Sequence, residues 1–128
     1  MTSFPEKSRF DPPAVFAERE KIPQEKNDFA TATLRQLEKD FALQGLQITL
    51  PEAVPPYGEL LDMIADFLDR EQIAGSKVLI RLLYQLDMDE AKMRALLAET
   101  PAENTLHALA DQMVRRCLAK VITRAKFS

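Results

Sequence analysis

The sequence predicts an all-α fold: a compact bundle of four to five helices behind a Pro-rich, largely irregular N-terminal arm. Three observations predict it. Apolar residues recur at spacings of three and four over most of the chain after residue 28, as on the buried face of a helix. Only three glycines occur, against abundant Ala, Leu, Glu and Lys, which leans the composition toward helix. Cap and stop residues fall at the ends of the periodic runs. With 128 residues, 46% apolar and 29% charged, the chain can bury one core without disulfides or a metal.

Residues 1–27 read as the arm and residues 28–128 as the bundle. The arm holds Pro5, Pro12, Pro13 and Pro23, half of the eight prolines, with Phe4, Phe10, Val15, Phe16 and Ile22 as scattered apolar anchors. A short helix from Pro13 to Glu20 fits a proline in the first turn. Such an arm either trails free or lies over the body or a partner through its phenylalanines.

Asn27 and Asp28 can cap a first helix over 29–44, with Ala30, Leu34, Leu37 and Phe41 on one stripe and Gly45 as its stop. Leu46, Ile48 and Leu50 then alternate with Gln47 and Thr49, the period of a strand. A lone strand has no mate in a helical chain, so the segment reads as an extended connector, with pairing across a dimer as the lesser alternative. The second helix is expected over 57–73, burying Leu60, Leu61, Ile64, Phe67 and Leu68 and closed by Gly75. In the third, 77–86, only Lys77, Arg81 and Gln85 are polar, which places it in the middle of the bundle. Asp87 and Glu90 have the form of a capping box for a fourth helix, with Met93, Leu96 and Leu97 inward. Thr100, Pro101 and Glu103 mark the start of a last helix that runs to about 125 and carries apolar residues on two adjoining stripes. Those two stripes, 106/110/113/117 and 114/118/122, leave self-association open.

Composition also narrows function. The single cysteine, Cys117, excludes an internal disulfide and any CxxC zinc or redox site. The opening MTSFPEKSRF has no secretory pattern, and no apolar run approaches the roughly 18 residues of a membrane span. The expected compartment is the cytoplasm, with no membrane contact. A net charge of −3 argues against a general nucleic-acid binder.

Two charged surfaces stand out. Glu59, Asp62, Asp66 and Asp69 follow one another at three, four and three, so all four project from one ridge of the second helix. Such a ridge is either a solvated face or a docking surface for a basic protein; a metal site lacks the EF-hand loop and the E-x-x-H pairs that would support it. Residues 101–128 instead carry five basic and two acidic side chains, with Arg116, Lys120 and Arg124 four apart. The helix dipole alone favours cations there. The alternatives are contact with an acidic protein or with nucleic-acid phosphates.

Catalytic groupings are scarce. His107 is the only histidine, with Asp111 one turn on to hold its ring. Cys117 lies about 80° around and about 15 Å along the same helix, too far for a Cys–His pair. No Gly-rich phosphate loop occurs. The reading is therefore a small non-catalytic interaction protein, an adaptor, regulator or accessory subunit without cofactor. Its contact residues are Glu59, Asp62, Asp66, Asp69, Arg116, Lys120 and Arg124, and its partner is a protein, a second copy of itself included. A nucleic-acid-associated regulator using the basic last helix is the alternative.

Overall fold

The computed structural model describes residues 12–16, 24–73 and 76–127. Among them there are five helices and no strand. α1 spans Gln24–Leu43, α2 Tyr57–Arg70, α3 Lys77–Gln85, α4 Glu90–Glu99 and α5 Thr105–Phe127, with one further helical turn at Pro12–Val15. The all-α bundle is as expected.

α5 is the axis of the bundle, and α1 and α2 pack against it. Its two apolar stripes are both covered within the chain: Leu109, Ala110, Met113, Val114, Cys117 and Leu118 are buried, and Leu106 and Ile122 are half-buried against the same core. α1 adds the stripe Ala30, Leu34, Leu37 and Phe41, and α2 adds Leu60, Ile64, Phe67 and Leu68. Phe41 meets Phe67 with ring centroids 5.8 Å apart.

The arm is partly core. Val15 and Phe16 are fully buried, and the Phe16 ring packs 5.8 Å from that of Tyr57 at the start of α2. The helix expected at Pro13–Glu20 is a single turn, closed by Phe16 N–H donating to the Pro12 carbonyl; residues 17–20 lie outside the described residues. α1 begins at Gln24, so Asn27 and Asp28 lie inside it and the arm–bundle boundary drawn at 27/28 cuts through a helix. The proline at position 23 is a start signal that competes with the Asn–Asp pair.

Helix ends account for most of the remaining differences. Three helices close in the same way: the residue three past the helix end donates to the carbonyl five residues back (Leu46 to Phe41, Ile73 to Leu68, Met88 to Leu83), and the residue before it donates to the carbonyl three back. The residue that donates this second bond is left-handed in each case. Gly45 (φ 78°) was expected in that place, but Gln72 (φ 52°) and Asp87 (φ 58°) were not. α2 therefore stops at Arg70, short of residue 73, while Gly75 lies outside the described residues. Asp87 ends α3, and the cap of α4 is Asp89, whose carboxylate accepts from the Lys92 N–H at 3.1 Å. Thr100 does not open α5: its hydroxyl donates to the Leu96 carbonyl of α4, and a 3-10 turn at Ala102–Asn104 intervenes.

α3 is not central. Leu79 and Leu82 are buried, but Ile80 is 56% and Tyr84 70% exposed, and α1 is the helix it packs on. Nine residues span only about 13 Å, too short to run beside helices of twenty and twenty-three. Leu97 of α4, expected inside, is exposed.

Candidate functional site

The acidic ridge projects from α2 as the spacing implies, with Glu59, Asp62, Asp66 and Asp69 all exposed. Asp62 is engaged: its Oδ1 lies 2.7 Å from His107 Nε2 on α5. Asp62, not Asp111, thus holds the imidazole. Asp111 instead accepts from the Tyr57 hydroxyl and, at 2.9 Å, from Arg115 Nε. Burial, reinforced by the Asp111 carboxylate, pushes the Tyr57 hydroxyl far above the ordinary phenol range, so it remains a donor. Glu59, Asp66 and Asp69 form no ion pair among the described residues.

The basic line behaves differently. Arg116 reaches back to the end of α3, donating to Asp87 at 2.6 Å and to the Leu86 carbonyl at 3.1 Å. Lys120 lies 3.4 Å from the Asp40 carboxylate and donates to the Gln85 carbonyl at 3.1 Å. Arg124 donates to Gln36 Oε1 at 2.6 Å. A shallow cleft of about 230 Å³ runs along these three side chains. All three cations therefore tie α5 to α1 and to the end of α3.

Asp40 was not anticipated. It is 2% exposed, and its carboxylate receives Gln36 Nε2 at 2.8 Å, Lys120 Nζ and the Cys117 thiol at 3.7 Å. Gln36 and Asp40 stand one turn apart beside the α1 stripe, a polar pair at four-residue spacing that could have marked a buried network. Burial raises the Cys117 thiol well above its ordinary range, with the Asp40 charge adding to the push and Lys120 opposing it. That thiol is a protonated packing group, unsuited to nucleophilic attack. Cys117 faces the core and His107 the surface, so the two are not brought together. Among the described residues, no group of His, Cys, Asp and Glu is arranged to hold a metal ion.

A groove of about 420 Å³ lies beside the ridge, between the connector after α1 and the last turns of α2. Its lining is mainly polar, with Gln47, Thr49, Asp66, Arg70 and Glu71 exposed around it, Ile48 and Met63 half-buried on its walls, and Leu50 and Phe67 buried beneath. A smaller apolar dent of about 90 Å³ lies among Ile80, Leu83, Tyr84, Met88 and Met93.

Compared with known proteins, the chain matches no family model, no curated protein and no solved structure. Among the described residues, no helix is long and apolar enough to cross a membrane.

Proposed function

We propose that this chain is a small helical interaction protein, an adaptor, regulator or accessory subunit of the cytoplasm, that binds a basic surface of a partner protein and performs no chemistry of its own. The observation that carries the reading is the unequal use of charge. Arg116, Lys120 and Arg124 are engaged inside the molecule, whereas Glu59, Asp66 and Asp69 face solvent with no cation on them among the described residues. Like charges one turn apart repel by a few tenths of a kcal/mol per pair. A cationic partner would relieve that repulsion and be steered to this face.

The nucleic-acid alternative is weakened by the same geometry, since phosphates would have to displace Asp87, Asp40 and Gln36 from the cations they hold. It would show itself as binding that falls steeply with salt.

The experiment is charge reversal on the unengaged acids. Complexes are captured by cross-linking in the cells of origin, with the native chain and with Glu59→Lys/Asp66→Lys/Asp69→Lys. The expected result is loss of the partner by tenfold or more at unchanged helical circular dichroism. Undiminished capture by the reversed chain would remove the acidic face from the reading.

A further inference from the structure

Resting on that reading, we propose how the partner binds: an extended, Lys- or Arg-bearing segment adds as a strand to the free edge of Gln47–Thr49, filling the groove between this connector and α2.

The connector runs from Leu46 to Leu50 without turn or bend, and its side chains alternate in burial: Leu46 and Ile48 half-buried, Gln47 and Thr49 exposed, Leu50 buried. That is the two-residue period of extended backbone. In such a chain the N–H and C=O of one residue point to the same edge, and those of the next residue to the other. Leu46 N–H donates to the Phe41 carbonyl, and Leu50 N–H donates to Glu38 Oε2 at 2.7 Å, so the edge that 46, 48 and 50 share faces α1. Gln47 and Thr49 then present their backbone groups to the opposite edge, where among the described residues neither forms a hydrogen bond.

The groove of about 420 Å³ adjoins this segment. Across it, α2 offers Met63, Asp66, Phe67 and Arg70, which recur at three and four and so share one face, with Glu71 following at its end. A strand laid there would exchange main-chain hydrogen bonds with Gln47 and Thr49, and alternate side chains would meet the α2 wall. Two paired strands alone are marginal in water, so covering the half-buried Ile48 and Met63 is needed to complete the site.

Charge selects the occupant. Asp66 and Glu71 line the groove against the one base Arg70, and Asp69 continues the negative face along α2. An acidic strand would be repelled and a basic one drawn in.

The test uses the full chain and a labelled Val-Lys-Val-Lys-Val-Lys peptide, read by fluorescence anisotropy. Expected are saturable binding, at least tenfold weaker binding of the Val-Glu counterpart, and at least tenfold loss when alternate amides of the Lys peptide are N-methylated in one register but not in the other. Thr49→Pro removes a free-edge N–H without altering charge, and should abolish binding at unchanged circular dichroism.

Equal binding by both methylated peptides would overturn strand addition while leaving the acidic-face reading in place. No binding of the Lys peptide would overturn the proposal, and the cross-linking experiment would still judge that reading separately. A dimer in sedimentation that Thr49→Pro dissolves would assign the edge to a second copy instead. Cross-links from residues 1–11 to Gln47 or Thr49 in the peptide-free chain would assign it to the chain's own arm.

Discussion

A carboxylate removed from water must find its hydrogen bonds inside the protein, and Asp40 finds them on three side chains from two helices. One of those donors, Cys117, gives the cluster a measurable signature. Its thiol ordinarily ionises near 9.0, but burial and the Asp40 charge hold the proton on in the folded chain. A group whose folded pKa is raised contributes stability that is complete below the unfolded value and is lost as pH rises beyond it. Above pH 9.0 the slope should approach about 1.4 kcal/mol per pH unit. Urea unfolding should therefore show the thiol contributing about 1.4 kcal/mol less stability at pH 10 than at pH 8, and Cys117→Ala should remove that part of the loss, leaving the smaller part due to the Tyr57 hydroxyl. The same slope in both proteins would mean that the thiol ionises alike folded and unfolded. Burial of Cys117 was readable in the apolar period of the last helix. Asp40 was not, because an acid at the margin of a stripe reads as solvent-facing until Lys120, eighty residues away, is brought to it.

At the scale of the element, helix interiors were legible and helix ends were not. Stripes of Leu, Ile and Phe announce a helix over many residues, whereas a left-handed stop is one dihedral angle. Gly45 declares its stop by residue type; Gln72 and Asp87 are forced into theirs by the two closing hydrogen bonds and by Ile73 and Met88 packing behind them. For an L-residue the left-handed conformation costs about 1–2 kcal/mol, against about 0.5–1 kcal/mol for the added freedom of glycine when unfolded. Gln72→Gly should thus raise stability by about 0.5 kcal/mol, read as a higher urea midpoint at constant slope. A lower midpoint would show that the Gln72 side chain, rather than its backbone, holds the end of α2. The place of α3 was misread for a related reason. An apolar circumference shows what a helix could bury, but not how many neighbours reach it, and Ile80 and Tyr84 remain in water.

Across the whole molecule, the class of fold and the position of both charged surfaces were written in spacing and composition. Which surface has its charges engaged within the molecule was not. Arg116, Lys120 and Arg124 look as available as the ridge until Asp87, Asp40 and Gln36 converge on them from distant parts of the chain. The arm was likewise undecided by sequence, and Phe16 places part of it in the core. If the segment at 12–16 belongs to the cooperative unit, Phe16→Ala should cost about 3 kcal/mol and lower a single thermal transition. A melt indistinguishable from the native one would make the segment an appendage.

The position of α5 at the axis also has a consequence during synthesis. α1 packs chiefly on α5, yet Phe127 is added 84 residues after Leu43. At about 5–20 residues per second that is a wait of roughly 4 to 17 s, far longer than helix formation. On the ribosome α1 and α2 therefore wait for the helix both pack against, and the part of the α1 stripe that α5 covers is open to chaperones until α5 emerges.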